Sequence, residues 1–421
     1  MDIITTASLP LAGPFFAPML ALLPAARHQR VCELSDAAWL LLGTTRALDD
    51  QPSGRAFLQK SAATFSRIPV RTTFFDGLAS KRRGLLTCEI NLALTRYMTT
   101  LLPDPFAAFP ELAAFDLSAG DGHFHTAAVH DPRDTDGKRH ATGHVYLLNL
   151  RSQAMHHLDL CDPVTRRKEH DLHVLKRHDF DSLRSHAPKG RRVIMAYDRA
   201  ILDYRFWQKA KDTAGLYFVS RPKCNTNLLR GGFTEYDHSA PVNAGILSDE
   251  QAAPEATAKV IRRITWQNPD DGAEWQFLTN EMTLPPGLIV LIYRRRWDIE
   301  KVFDEFKSKL HETKSWASSS AAKRAQANFL CLTHNLMVLY EHELAKSGIT
   351  NIAEEKRRAG RLQDRTAAAV KEKRFLPTII SGFQRLTQRS VKFIRWLRGY
   401  LWSDRPLTHI HAILIRYYAA L

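Results

Sequence analysis

The sequence predicts an α/β fold, on three observations. Between residues 111 and 221 the apolar spacing alternates between a strand period of about 2 and a helix period of about 3.6. Within that stretch Val193-Ile194-Met195-Ala196-Tyr197 is a short apolar run ending at Asp198, the pattern of a buried strand with a carboxylate at its carboxyl end. Further on, Ile299, Val302, Phe303, Phe306 and Leu310 recur at helical spacing and form an apolar face able to dock on a core.

Taken in order, the chain begins with an apolar stretch, Leu9 to Ala25, interrupted by four prolines and preceded by Asp2 with no basic residue. That reads as an ordered or semi-flexible arm, not a signal peptide. From about Glu33 to Leu102 the pattern is helical, with Ser35 and Asp36 able to cap the run containing Trp39 to Leu42, and with the basic cluster Lys81-Arg82-Arg83 as a solvated turn. Leu117 to His130, Gly143 to Leu150 and Ala154 to Leu160 read as strands joined by polar turns. A helix from about Leu172 to His186, the Val193 strand, a helix from Ile201 to Thr213 and a strand from Gly215 to Ser220 follow. Three strands, a helix, a strand, a helix and a strand is the order of the ribonuclease-H-like fold, placed at residues 111–221 and completed by 285–345.

Asp198 and Glu300 stand roughly 100 residues apart, where elements of average length need about 32. The surplus fits 222–284, in which Gly231-Gly232, Tyr236, Val260 to Gln267 and Glu274 to Met282 read as short strands, a β-rich insertion. Ser318 to Lys346 then reads as a long helix capped by serines. The final region, 346–421, is expected to be helical and basic, with aromatics such as Trp396, Tyr400 and Trp402 interleaved.

The 421 residues hold 59 Lys and Arg against 44 Asp and Glu, a net charge of +15. That excess favours a polyanionic partner. No apolar run reaches the roughly 18 residues that a spanning helix needs, which removes an integral membrane role. Five dispersed cysteines, Cys32, Cys88, Cys161, Cys224 and Cys331, suit reduced thiols in the cytoplasm and argue against a zinc ribbon or a disulfide scaffold.

On one helix Tyr293, Arg296, Glu300 and Lys307 would fall within about 60° of one another. Such a stripe is either a solvated face with weak pairs of about 0.3–0.5 kcal/mol or a site where one carboxylate works among cations and a phenol. The spacing of these four residues, with Trp297 and Ile299 between them, resembles the Tyr-Arg-Glu-Lys signature of the IS-four type group of DDE transposases from bacterial insertion sequences. The resemblance runs from about Leu112 to Leu339.

That resemblance implies a ribonuclease-H-like catalytic core with a β-rich insertion and leaves both ends unassigned; the helical pattern of 1–110 makes that region a separate candidate for DNA binding. The same resemblance implies a catalytic and metal-binding set of Asp121, which opens Asp-Gly, Asp198, which opens Asp-Arg-Ala, and Glu300, with Asp116 as the alternative first acid. Tyr293, Arg296, Lys307, Arg221, Arg294 and Arg295 are then expected on DNA. Converging carboxylates with no cysteine suit two Mg²⁺ or Mn²⁺ ions, able to support both hydrolysis and strand transfer in cut-and-paste transposition. Double-stranded DNA at element ends and target, a homodimer assembled on those ends, a cytoplasmic, nucleoid-associated location and phosphate contacts from Arg385, Arg389, Lys392, Arg395 and Arg398 complete the expectation. Two rivals stand beside it. His123-Phe124-His125 matches the metal-binding element of nucleases that attack DNA with a tyrosine, the remaining histidines (His130, His140, His144, His156, His157) being expected in loops and on polar strand faces. A DNA-binding regulator descended from an inactive transposase is the other.

Overall fold

One mixed sheet of nine strands organises this computed structural model, which describes residues 13–24, 34–50, 53–64, 71–133, 137–161, 169–224, 226–254, 259–268 and 272–346, with 360, 361, 363, 364, 367, 368, 371, 397 and 398. Five helices come first: α1 (Gly13–Leu20), α2 (Asp36–Leu48), α3 (Gly54–Thr64), α4 (Arg71–Ala79) and α5 (Lys81–Leu101). The proline-broken start forms a helix after all, because burial of Phe15, Phe16 and Met19 outweighs the weakened backbone bonding at Pro18. Ser35 caps α2 as expected, its hydroxyl accepting from Ala38 N at 3.2 Å.

Strands β1 (Phe115–His125), β2 (Thr142–Asn149) and β3 (Met155–Leu160) form an antiparallel meander. The chain crosses through α6 (Asp171–Arg177) and α7 (Phe180–Leu183) to β4 (Arg192–Ala196), parallel to β1, and through α8 (Tyr204–Ala214) to β5 (Leu216–Ser220), parallel to β4. The expected single helix over 172–186 is therefore two, because Asp179 starts a new one by accepting from Ser182 N at 2.6 Å. Gly215, in the left-handed region at φ 63°, ends α8 and turns the chain straight into β5.

Four further strands, β6 (Leu228–Phe233), β7 (Ile246–Pro254), β8 (Ile261–Gln267) and β9 (Glu274–Thr279), continue the same sheet, whose order is β3-β2-β1-β4-β5-β9-β8-β7-β6. β7 has no clear alternation in the sequence and was not expected, while Tyr236 lies outside any strand. Only Val219 with Thr279 and Ser220 with Leu278 join β5 to β9, so the extension needs other anchors. Arg262, buried, supplies one: it pairs with Asp249 and donates to Leu284 O at 2.7 Å, tying β7 and β8 to the chain entering the next helix.

The signature region is broken into α9 (Pro286–Arg295), α10 (Asp298–Asp304) and a π turn over Glu305–Lys309, in place of the one continuous helix that the spacing implied. The last helix, α11 (Ser320–Lys346), runs through the interior. It carries its own polar latches. Asn335 accepts from Met155 N at 2.7 Å and donates to Met155 O at 3.0 Å, binding the β3 backbone. His334 meets Glu305 at 2.8 Å and Gln153 O at 3.0 Å. On its other side α2 comes so close that a Cβ on Gly43 would lie 2.0 Å from the Phe329 ring.

Most of the basic region 346–421, including Arg385, Arg389, Lys392 and Arg395, lies outside the described residues. Arg398 is described, and its surroundings correct the expectation of a phosphate contact. Its guanidinium donates to Leu48 O at the end of α2 and to Lys309 O at the end of the π turn, so it caps two helical carboxyl ends at once. Replacing Arg398 with Ala removes both bonds and should lower stability by about 1.5–3 kcal/mol per charge-assisted bond at most. Urea unfolding of the full chain checks this; an unchanged midpoint would mean that the cap contributes nothing.

Candidate functional site

The parallel register of β1 and β4 sets Ala119 opposite Ala196. Two residues beyond that pair, Asp121, still in β1, and Asp198 come close enough for the Asp198 charge to add to the rise of the Asp121 carboxyl. Because β4 stops at Ala196, Asp198 sits in the turn beyond it, its Oδ1 accepting from Ala200 N at 2.8 Å and its carbonyl from Ser220 Oγ at 3.0 Å. Both acids are held by short local bonds. Asp121 Oδ1 accepts from Gly122 N at 2.8 Å.

The third acid arrives through Arg296. One guanidinium nitrogen lies 3.2 Å from Asp121 Oδ2 and the other 3.1 Å from Glu300 Oε1, so a single cation joins the sheet to α10. The break between α9 and α10 leaves Arg296 at the end of one helix and Glu300 in the first turn of the next. The Tyr293 and Trp297 rings stand 5.8 and 5.9 Å from the guanidinium carbon. Tyr293 is held above its ordinary range, first by burial, against the pull of Arg296 and Arg221 and with Asp198 adding to the rise. Tyr293, Arg296, Arg221, Asp121, Asp198 and Glu300 thus share one neighbourhood.

Burial is also the main cause that pushes Asp121 up to about 6, with Arg296 opposing and Asp198 and Asp171 adding. Arg296 itself is lowered by burial but raised more by Tyr293, Asp121 and Glu300, and stays charged. The acids outnumber what Arg296 can neutralise.

Three expected members stand elsewhere. Lys307 lies exposed in the π turn, where Leu310 N donates to Glu305 O at 2.9 Å, and that wider spacing takes it out of phase with Glu300. Arg294 covers the Trp266 ring at 5.1 Å, over the strand extension, just as Arg221 covers Trp275 at 4.9 Å. Arg295 corrects the expectation of a DNA contact: it is buried and paired with Asp298 Oδ2 at 2.6 Å. Asp116, an odd number of residues from Asp121, faces the other side of the sheet, fully buried, with both oxygens 3.0 Å from Asn149 Nδ2.

His123 and His125 do share a face, but a buried one, where both meet Glu312 at 2.9 and 3.4 Å. His144, His156 and His157 are buried too, contrary to the expectation of polar faces, and His144 meets His157 at 3.0 Å. Burial first of all holds His125, His144 and His156 below the ordinary range and His157 at about 4. The buried Tyr146 packs among them, its ring centroid 5.9 Å from that of His144 and 5.3 Å from that of His157. Two neighbours escaped the sequence reading. Asp171, at the start of α6, and Tyr197, between β4 and Asp198, pack behind Asp121, and no spacing rule links them to it.

The donor set fits a hard divalent ion in kind, carboxylate oxygens only. In spacing the set is drawn around Arg296, and among the described residues no three His, Cys, Asp or Glu side chains approach as a metal cage.

Residues 118–336, more than half of the chain, match the family described as "Transposase DDE domain". No curated protein matches the chain. Among solved structures, the cryo-EM structure of a piggyBac transposase synaptic complex with hairpin DNA is similar at 8% identity and a TM-score of 0.36, over 99% of this chain and 83% of that one.

If Arg296 is the counter-charge of Asp121, an Arg296→Gln protein should show the Asp121 carboxyl titrating above about 6, because a nearby cation favours the ionised form. Carboxyl-carbon NMR across pH 4 to 8 measures it, taking roughly the usual range of shifted carboxylates. A midpoint unmoved by the substitution would sink the assignment.

Proposed function

Because the chain belongs to the transposase DDE domain family, we propose that it cuts at the ends of a mobile DNA element and joins the freed 3′-OH to target DNA, as a transposase of the IS-four type. The observation that carries this reading is the pairing of Arg296 with both Asp121 and Glu300, with Asp198 beside Asp121 where β1 passes the end of β4. The strand order β3-β2-β1-β4-β5, antiparallel then parallel, supports a ribonuclease-H-like catalytic core over 111–221 and 285–345, with 222–284 as the β-rich insertion.

In this reading Asp121, Asp198 and Glu300 hold two divalent ions, Mg²⁺ or Mn²⁺, which when bound stabilise the attacking and leaving oxygens of an in-line displacement. The protein's own part is to keep the acids aimed. Arg296 orients Asp121 and Glu300 together, so neither carboxylate swings away when its neighbour is charged. Tyr293 and Arg221 border the same space and are placed to take the sugar-phosphate strand, with the exposed Trp297 ring beside them. Lys307, exposed two turns away, would meet phosphates further along the duplex. The excess of basic residues supports double-stranded DNA as the partner. Two ends require two sets of acids, hence a homodimer assembled on DNA; no helix among the described residues is long and apolar enough to cross a membrane, and a cytoplasmic, nucleoid-associated location is part of the proposal.

Alanine at Asp121, Asp198 or Glu300 should abolish nicking of end-bearing plasmid in Mg²⁺ while DNA binding stays within about threefold, since phosphate contacts and not acids dominate affinity. Asp116→Asn should keep nicking. The reverse result, an active Asp121→Ala and an inactive, folded Asp116→Asn, would move the site to the other face of the sheet. Neutralising Arg385, Arg389, Lys392 and Arg395 should flatten the dependence of log K on log salt by about 0.9 for each lost phosphate contact. An unchanged slope would remove the tail from the DNA interface.

A further inference from the structure

We propose that the cavity between the amino-terminal helices and the two loops that follow β1 and the π turn takes one unpaired nucleotide of a DNA strand. The proposal rests on the DNA-processing reading above, although none of Asp121, Asp198 and Glu300 lines this cavity. Its volume is about 370 Å³, within the range of ligand pockets. It opens between the end of α2, the start of α3, α4, the 128–130 loop and the 311–318 loop. Its wall begins just past the end of β1, about 17 Å beyond Asp121 along an extended strand.

Arg46, Lys314, His130 and His311 bring basic groups to the lining, and Phe75 and Trp316 bring half-buried rings. Asp50 is the only acid among the described lining residues, and it already faces Lys60 at 3.6 Å. Arg46 is buried and fixed between two rings, its guanidinium carbon 5.3 Å from the centre of Phe57 and 5.5 Å from that of Trp316. Lys314 forms no ion pair among the described residues, which leaves its ammonium charge for a ligand. A lining that is cationic and aromatic at once matches a nucleotide, whose phosphate seeks the cations and whose base seeks a ring face. A base still paired and stacked in a duplex offers no such face to a side chain, so the nucleotide must be unpaired.

A gap left by imperfect packing is the plainer reading, but the loops around this one are built. Gln326, buried on α11, accepts from Trp316 N at 2.7 Å and donates to Lys314 O at 3.2 Å. Ser315 N donates to Thr126 O at 2.9 Å, and the Ser315 and Thr142 hydroxyls meet at 2.8 Å. In the other loop the buried Asp131 carboxylate accepts from Ala128 N at 2.9 Å and from the Lys323 ammonium at 2.8 Å. His311 lines the space from the left-handed region at φ 53°, a conformation unfavourable for a residue with a side chain. Buried polar bonds thus hold both loops apart at a local backbone cost, and an accidental gap would need neither.

Fluorescence anisotropy of the full-length protein on two labelled duplexes, one blunt and one ending in a short single-stranded tail, tests this without added metal and so without reference to cutting. The tailed duplex should bind about tenfold more tightly than the blunt one, the order expected for one stacked base. Lys314→Gln removes the unpaired charge, and Val129→Trp narrows the mouth from an exposed position. Each should abolish the preference for the tail while blunt-duplex affinity stays within about threefold. His130→Ala takes the place of either variant should it fail to fold. A tail preference undiminished in the folded variants would overturn the nucleotide site and, with the blunt duplex still bound, leave the transposase reading standing. Calorimetric binding of dAMP by a wild type that shows no tail preference would assign the cavity to a free nucleotide and overturn the DNA strand as its occupant. No binding of either duplex would overturn both readings.

Discussion

Like charges brought together at the end of a sheet are the constraint on which this structure turns. Asp121, paired into β1 opposite Tyr146 of β2, and Asp198, in the turn just after β4, are brought together where the β1–β4 pairing ends. Glu300 is added from a separate helix by a guanidinium shared with Asp121. Burial makes Asp121 more costly to ionise, and in the same low-dielectric setting the attraction of Arg296 is stronger. The fold therefore holds a small, unfavourable cluster in place by means of a large, favourable core.

That core is built to resist the pull. α11 lies against α5, β3, α2, α1 and α4, and its polar side chains act as fixed points within an apolar interior. Asn335 grips the β3 backbone, His334 holds the π turn to the β2–β3 turn, and Arg398 seals two helix ends. The π turn carrying Glu305 follows directly on α10, so each latch also bears on where Glu300 sits. Rigidity at the acids is inherited from contacts well away from them.

Much of this was legible in the residues. The apolar run before Asp198 announced the end of β4, and the four-residue step from Arg296 to Glu300 does bring that pair together across the helix break. What escaped notice depends on tertiary context. Asp171 and Tyr197 reach the site across the sheet, and their position follows from where β4 stops, which no local pattern encodes. The misplaced histidines have the same origin: His144 and His157 read as polar, yet pair with each other inside the core, where lowered basicity keeps them neutral. Lys307 was misaligned because a π turn of five residues has no composition of its own. Arg295 and Arg398 show that a cation in a basic protein can be spent on structure as readily as on a polyanion.

The position of α11 in the chain also governs how a nascent copy must fold. Helices α1 to α5 are complete by residue 101, but the surface they pack on is not synthesised until residues 320–346. At roughly 5–20 residues per second the ribosome needs on the order of 10–45 s to cover that gap, long on the scale of helix formation and apolar collapse. Throughout it, Trp39, which packs on Phe74, has no Phe329 to close over it. Until α11 is made, the amino-terminal helices have only one another and β3 to pack on, and the apolar surface meant for α11 stays open to solvent.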